Sequence, residues 1–190
     1  MPNWASNIVI ISHKDSSKIA SLAQAMSQDC FLDYVIPIPQ SLKDTMEVDL
    51  KGVALEELTA RNIKECGYGD WYNFCATRWG TKWEVETADT LSISDDGHLV
   101  EAQFESAWTP PMGVYQELVN MGYDVVGYFH QPGEGYVGKW DNGREDCHYY
   151  SNENSQTIRG VIGDELEGMF CVGELLQEYE EDEEDEEGVD

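Results

Sequence analysis

Residues 98–108 of the chain read HLVEAQFESAW, and Thr109-Pro110-Pro111 follows them directly. One side of this stretch carries the apolar or small residues Val100, Ala102, Phe104, Ser106 and Trp108. The other side carries the polar residues Glu101, Gln103 and Glu105. A period of two predicts an antiparallel strand with one buried face and one face in water. The prolines predict the start of a helix, because proline is tolerated in the first helical turn.

Regular patterns continue downstream of this strand. A helical face is formed by Val114, Tyr115, Leu118 and Met121, and Gly122 ends the helix. Strands are predicted at residues 124–130, 134–140 and 146–150, with the glycine-rich QPGEGYVG of residues 131–138 as a hairpin turn. A terminal helix is predicted from the spacing of Met169, Val172, Leu176 and Tyr179.

Upstream, the run NIVIIS at residues 7–12 predicts a buried first strand. Asp15 or Ser16 then offers a helix N-cap. The apolar face of that helix is formed by Ile19, Leu22, Ala23 and Met26.

An insertion of about residues 33–83 separates this first helix from the second strand. Residues 33–52 hold Pro37 and Pro39 without periodicity and are predicted as a loop, whereas residues 54–66 predict a helix that ends at Gly67. Residues 84–95 predict a strand. The element order predicts an α+β, ferredoxin-like (split βαβ) antiparallel sheet with a helical insertion, extra C-terminal strands and a terminal helix. Residues 1–177 are expected to form one domain.

Charge is the most unusual property of the 190-residue chain. It holds 38 acidic and 11 basic side chains, a formal net charge of −27, although 41% of its residues are hydrophobic. Proteins that bind DNA or RNA along the phosphates do so with lysine and arginine, so direct nucleic-acid binding is not expected. An anionic membrane surface is disfavoured for the same reason. No apolar run is long enough to span a bilayer and no secretory signal is visible, so a cytosolic location is expected.

The acidic residues are concentrated at the C-terminus. Residues 178–190 carry ten acids and no base, and are predicted to be a disordered, solvated tail. Without these ten acids the net charge of −27 would still be −17. Residues 141–190 as a whole hold eighteen acids against two arginines, a net charge of −16. A tail that aids solubility is one interpretation. An acidic surface that competes with DNA for a basic partner is the other.

The densest group of aromatic residues lies in YGDWYNFCATRWGTKW, residues 68–83. Such a block usually anchors an irregular insertion onto a sheet by burying large rings, and we favour that structural role. Trp4 and Trp108 are expected to join the same packing. The alternative is a small-ligand or enzyme site that stacks a planar or sugar ligand or holds a phosphate, formed by Trp71, Arg78, Trp79, Lys82 and Trp83.

Several blocks resemble a known family. Met1-Pro2-Asn3-Trp4 with Asn7, WGTKW at residues 79–83, FESAWTPP at residues 104–111 and the stretch 127–138 are similar to the YubB-like proteins of phages and plasmids, which have a ferredoxin-like domain. The blocks are scattered over residues 1–140. Ala5 stands where the family usually has cysteine, which argues against a thiol or metal role there. The resemblance implies a cytosolic protein of a phage or mobile element with the fold derived above, and it supplies no catalytic residues.

Catalytic and metal motifs are not evident in the sequence. The five cysteines are odd in number and form no CxxC, so they are expected to be reduced thiols. Cys66, Cys75, His130, Cys147 and His148 match no zinc-site spacing. A P-loop, GxSxG and HExxH are all absent. We therefore expect neither an enzyme nor a bound cofactor or metal.

These observations favour an acidic phage or mobile-element protein that binds and inhibits a bacterial host protein with a basic surface. Nucleic-acid-binding proteins of defence or transcription are the expected targets, reached by partial DNA mimicry. The residues expected to contact the partner are Asp141, Glu145, Asp146, Glu165, Glu167 and Glu174. An acid-rich assembly protein of a particle is a further hypothesis.

Overall fold

The computed structural model describes residues 3–45 and 53–187. The strands are β1 (Trp4–Ser12), β2 (Ser92–Ile93), β3 (Leu99–Ala107), β4 (Asp124–Gln131), β5 (Tyr136–Asp141) and β6 (Arg144–Tyr149). The helices are α1 (Ser16–Met26), α2 (Phe31–Val35), α3 (Gln40–Lys43), α4 (Val53–Cys66), α5 (Trp71–Arg78), α6 (Met112–Asn120), α7 (Ile158–Phe170) and α8 (Val172–Glu187). Within those two ranges, no helix has the length and apolar character that crossing a membrane requires.

All six strands form one sheet in the order β2-β3-β1-β4-β5-β6. Every neighbouring pair is antiparallel. The parallel strands β1 and β2 are therefore separated by β3, and the parallel strands β3 and β4 are separated by β1. These are the two split βαβ units of a ferredoxin-like sheet. The predicted α+β class is confirmed, and β5 and β6 are the extra C-terminal strands.

The alternation in residues 99–107 decides which side of β3 faces the helices. Val100, Ala102, Phe104 and Ser106 are buried, while Gln103 and Glu105 are exposed. Strand β3 pairs with β1 along its full length, from Trp4 opposite Ala107 to Ser12 opposite Leu99. Trp108 is an exception to the prediction, because its φ of 70° turns the chain and leaves its side chain 42% exposed.

One face of the sheet packs against α1, α2 and α6. The predicted apolar faces are confirmed, since Ile19, Leu22, Ala23 and Met26 of α1 and Val114, Tyr115 and Leu118 of α6 are all buried in the same cluster. The Asp15 carboxylate caps α1 by accepting a hydrogen bond from the Ser17 amide at 3.0 Å. Met121, predicted on the face of α6, is exposed because the helix ends at Asn120.

Two predictions need correction, one for the loop in the insertion and one for the strand that follows the insertion. The expected loop at residues 33–52 contains part of α2 and all of α3, and its residues 46–52 lie outside the described residues. The expected strand at 84–95 is strand only at Ser92–Ile93. Before it, backbone pairing is replaced by side-chain contacts, because the Thr90 hydroxyl both donates to the Gln103 carbonyl at 2.6 Å and accepts from its amide at 3.1 Å. Local periodicity did not distinguish such an anchored segment from a strand.

The other face of the sheet is covered by α7 over β4 and β5. Its apolar cluster contains Tyr128 and Val137 of the sheet together with Ile158, Ile162, Leu166 and Val172 of the two C-terminal helices. The predicted terminal helix is two helices, because Cys171 adopts a left-handed φ of 50° between them. Met169 and Tyr179, predicted on the buried face, are therefore exposed.

Helix α8 continues to Glu187, into the segment 178–190 for which the sequence predicts a disordered tail. Glutamate is a good helix former, so a run of glutamates can extend a helix that already has a packed first turn. The Glu180 carboxylate accepts hydrogen bonds from both the Ser155 amide and the Ser155 hydroxyl, at 2.8 and 2.7 Å. This contact ties the beginning of the acidic segment to the loop before α7.

A buried histidine links β4 to the C-terminal helices. His130 is 5% exposed, its Nε2 lies 2.6 Å from the Tyr150 hydroxyl, and its ring centroid is 5.6 Å from that of Phe170. Burial lowers the pKa of His130 from 6.5 to about 4. The folded state therefore holds the neutral imidazole where the unfolded chain would already be protonated.

We expect this histidine to make stability pH-dependent between pH 6.5 and 4. Its contribution is fully present above the unfolded pKa and is lost as pH falls toward the folded pKa, with a total of at most about 3 kcal/mol. Urea unfolding of the wild type and of His130→Gln at pH 7 and pH 4 measures it, since glutamine does not titrate. The wild type should lose more stability than the variant. Parallel losses in the two proteins would contradict the assignment.

Candidate functional site

A cleft of about 950 Å³ opens between the sheet, the segment 84–90 and the end of α7. Its apolar wall is formed by Trp4 and Ile8 of β1 and by Met169 and Phe170 of α7. Its acidic residues are Asp29, Glu84, Glu86, Asp89 and Glu105. No lysine, arginine or histidine is among the described residues that line it. The cleft therefore combines an apolar wall with carboxylates that no basic side chain of the described lining neutralises.

Two of these carboxylates hold the segment 84–90 in place. Glu84 accepts hydrogen bonds from the amides of Leu32 and Asp33 at the start of α2, at 2.7 and 2.9 Å. Burial raises the pKa of the Glu84 carboxyl, although these hydrogen bonds oppose the shift. Asp29 accepts from the amides of Thr87 and Ala88 at 2.8 and 3.0 Å. Both groups are occupied by backbone donors, so their role is structural.

The remaining three carboxylates of the cleft are open to solvent. Glu86, Asp89 and Glu105 are exposed, and none of the salt bridges among the described residues involves them. Glu105 accepts one hydrogen bond, from the Ser6 hydroxyl at 2.7 Å. These three groups are the ones available to an incoming cation.

Beside the cleft, four aromatic side chains and a lysine form what we call the tryptophan cluster: Trp4, Tyr72, Lys82, Trp83 and Trp108. The rings of Trp4 and Trp83 are 6.0 Å apart, and those of Tyr72 and Trp108 are 6.4 Å apart. Lys82 Nζ lies 4.1 Å from the centroid of Trp83, 5.4 Å from that of Tyr72 and 5.5 Å from that of Trp108. The ammonium group is thus already held by three ring faces.

Hydrogen bonds between the turn after α5 and the end of β3 position the cluster. The Thr81 hydroxyl donates to the Ala107 carbonyl at 2.9 Å, and the Thr109 hydroxyl donates to the Gly80 carbonyl. The Trp108 amide donates to the Asn3 carbonyl at 2.8 Å, which brings the start of β1 alongside. Trp4 lines the cleft and also contacts Trp83, so the cleft and the cluster form one continuous surface.

The structure separates the five residues of the alternative ligand site. Trp79 is 2% exposed and its Nε1 donates to the Ile36 carbonyl at 2.9 Å, so it is a core residue and cannot contact a ligand. Trp71 is half-buried and packs edge-on against Tyr72, while Arg78 is exposed. Lys82 and Trp83 alone join the cluster. Trp4 and Trp108 are brought to the cluster by strand pairing, as expected. Tyr72 was not among the predicted residues of this site, because nothing in the sequence distinguished it from the other aromatic residues of the block 68–83.

Five of the six predicted partner-binding acids are exposed. Asp141, Glu145 and Asp146 lie on the β5–β6 hairpin, and Glu174 lies on α8. Glu165 is exposed and accepts from both Lys139 Nζ and the Tyr128 hydroxyl at 2.7 Å. These two hydrogen bonds lower its pKa, with that from Lys139 the larger cause.

Glu167 is the exception and corrects the prediction. Its side chain is buried, at 7% exposure, and its carboxylate accepts from the Gly173 amide at 3.0 Å. It therefore satisfies a free amide at the start of α8 instead of facing a partner. Its position on α7 could not reveal this, because the break at Cys171 turns α8 back toward the carboxylate.

The thiols of Cys75 and Cys147 are poor nucleophiles. Burial, with nearby carboxylates as the smaller cause, raises the pKa of Cys75 to about 12 and that of Cys147 to about 11. Both are protonated at neutral pH, and the thiolate is the reactive form. In the part of the chain that the structure describes, no three His, Cys, Asp or Glu side chains are grouped so that they could hold a metal ion.

Comparison with known proteins gives one distant structural similarity. No protein-family model matches the chain, and no curated protein matches it. The crystal structure of the protein api92 from Yersinia pseudotuberculosis, described with the family model DUF1281, is similar at a TM-score of 0.40 and 10% sequence identity. The similarity covers 80% of this chain and 99% of that chain.

Proposed function

We propose that this protein is a non-enzymatic acidic binding protein that captures and inhibits a nucleic-acid-binding protein of a bacterial host through its basic surface. The observation that carries the proposal is the exposed acidic surface, which includes the β5–β6 hairpin, α8 and a cleft with exposed carboxylates, an apolar wall and no basic residue in its described lining. A surface of this kind attracts lysine and arginine side chains and repels phosphates. The net charge of −27 extends the attraction over long range.

Partial DNA mimicry is the mode of binding we propose. A surface that binds DNA is adapted to closely spaced negative charges, one per about 1.7 Å of duplex axis. Carboxylates exposed on the β5–β6 hairpin and on α8 offer such charges outside the cleft: Asp141, Glu145, Asp146 and Glu174. Glu165 on α7 is exposed but is paired with Lys139. The resemblance to the YubB-like proteins supports a phage or mobile-element origin, for which defence or transcription proteins of the host are natural targets.

The alternative small-ligand site is less well supported. Of its five residues, Trp79 is buried in the core and Lys82 already lies over the ring of Trp83. A stacking ligand would have to displace that ammonium group. Tryptophan fluorescence that changes on addition of a nucleotide or a sugar would favour this alternative.

The proposal is tested by capture from bacterial lysate with the full-length protein, followed by washes from about 50 to 200 mM salt. We expect one nucleic-acid-binding protein to be retained, to be released steeply by salt and to be displaced by duplex DNA. Retention that is indifferent to salt or to DNA would contradict mimicry.

Matched variants locate the contact. The variant Asp141→Asn/Glu145→Gln/Asp146→Asn removes three negative charges from the β5–β6 hairpin. The control Glu56→Gln/Glu57→Gln/Glu65→Gln removes three negative charges from exposed residues of α4, so the change in net charge is the same. We expect the hairpin variant to lower affinity for the captured protein about tenfold and the α4 variant to lower it less than about threefold. Equal losses would mean that net charge alone attracts the partner.

A further inference from the structure

We propose that the cleft binds an arginine-bearing extended segment of the partner, with the guanidinium group stacked on Trp4 and paired with Glu86, Asp89 and Glu105. This inference rests on the proposed function and names the site and the side chain that it recognises. It differs from general charge attraction, because it requires one place on the surface and one kind of cation.

The charge of the cleft selects a cation. Glu86, Asp89 and Glu105 are exposed and make no salt bridge within the described residues, whereas Asp29 and Glu84 are held by backbone amides. Three unpaired carboxylates in one cleft favour an occupant that carries several donors.

The aromatic wall favours arginine over lysine. Trp4 is 47% exposed and lines the cleft with one part of its surface while it contacts Trp83 with another. A guanidinium group is planar, weakly hydrated and able to stack on an indole while it donates in its plane to carboxylates. A lysine ammonium is a compact, strongly hydrated charge and gains less from the same wall.

The size and shape of the cleft suit an extended segment. A volume of about 950 Å³ is several times that of one side chain, and the lining residues extend from β1 and β3 to the segment 84–90 and the end of α7. Ile8, Met169 and Phe170 provide apolar contacts for the aliphatic stem of an arginine or for its neighbours. Arginine residues are frequent in proteins that bind DNA phosphates, so this occupant agrees with the proposed class of partner.

The test uses two capped peptides, hexa-arginine amide and hexa-lysine amide, with the full-length protein at about 150 mM salt. Binding is followed by tryptophan fluorescence and by calorimetry. We expect the arginine peptide to bind about tenfold more tightly than the lysine peptide, and Trp4→Ala to reduce that preference below about twofold. Equal binding of the two peptides to the wild type would overturn the role of Trp4.

A second comparison separates the cleft from the rest of the acidic surface. We expect Glu86→Gln/Asp89→Asn/Glu105→Gln to weaken hexa-arginine binding at least about tenfold, and the control Glu56→Gln/Glu57→Gln/Glu65→Gln on α4 to weaken it less than about threefold. Equal weakening would overturn the site. If the cleft variant still captures the lysate protein in a salt-sensitive, DNA-competed manner, the proposed function stands and this inference fails. If the cleft binds hexa-arginine but no lysate protein is captured, the inference stands and the proposed function fails.

Discussion

Replacing Trp79 with alanine is expected to destabilise the protein by about 3–5 kcal/mol, the range for losing a large buried aromatic side chain. Trp79 is 2% exposed and lies in the main apolar cluster with Phe74 and Cys75. The change also leaves the Ile36 carbonyl without the indole donor that binds it at 2.9 Å. The turn after α5 would therefore lose both its hydrogen bond to the segment after α2 and its largest ring in the main apolar cluster.

Trp83→Ala is the matched control, since the two tryptophans are four residues apart but Trp83 is 37% exposed. We expect it to cost less than about 1 kcal/mol, as surface substitutions usually do. Urea unfolding followed by circular dichroism measures both. Similar losses for the two variants would contradict the division of this block into a core residue and a surface residue. Should Trp79→Ala fail to fold, Trp79→Phe keeps the comparison measurable.

Gly113→Ala is expected to destabilise the protein by about 3 kcal/mol, at the upper end of the range for overpacking. A Cβ at this position would overlap the carbonyl oxygen of Arg78 and would lie 2.9 Å from the carbonyl carbon of Arg78 and 3.3 Å from that of Trp79. These are backbone atoms, so the clash cannot be relieved by a side-chain rotation. The Gly113 amide also donates to the Trp79 carbonyl at 3.0 Å, and that hydrogen bond would be lost if the helices moved apart.

Gly168→Ala tests the same chemical change where there is room for it. This glycine is within α7, and no neighbouring atom lies within 4 Å of its Cβ position. Alanine is the better helix former by about 1 kcal/mol, so a small stabilisation is expected. Thermal unfolding of the two variants should therefore shift in opposite directions. A neutral Gly113→Ala would show that α5 and α6 do not approach as closely as described.

The Trp79 and Gly113 variants both test the packing of the block WGTKW, residues 79–83, because Gly113 lies against the backbone of Arg78 and Trp79. The Trp79 indole binds the Ile36 carbonyl directly after α2, and the Trp79 carbonyl accepts from the Gly113 amide of α6. Lys82 and Trp83 extend into the tryptophan cluster at the surface. The sequence predicted a structural anchor in the block 68–83, and it also offered a ligand site formed by Trp71, Arg78, Trp79, Lys82 and Trp83. The burial of Trp79 decides between these interpretations for that residue.

Much of the fold could be predicted because it is encoded by local periodicity. The alternation over residues 99–107 and the helical faces of α1 and α6 each describe one surface of one element, and each is buried as predicted. The caps are equally local: Asp15 binds an amide two residues away, and Gly67 and Gly122 adopt the positive φ that ends a helix.

Other features depend on contacts between residues far apart in the chain. Segment 84–90 is held in place by hydrogen bonds with Asp29, Leu32 and Asp33, more than fifty residues upstream. The sequence around the segment does not reveal these contacts, and it was therefore predicted to be a strand. Glu167 is buried because α8 turns back toward it at Cys171. Neither partner can be inferred from the spacing around these residues.

The sequence by itself determined the α+β class, the order of the main elements and the excess of negative charge, because propensity, periodicity and composition are properties of neighbouring residues. The tertiary structure alone decided which carboxylates remain free and which cap helices. It also decided that Trp4, Glu86, Asp89 and Glu105 share one cleft. Those outcomes follow from strand pairing and from the packing of α7 against the sheet, which join residues that are distant in the chain.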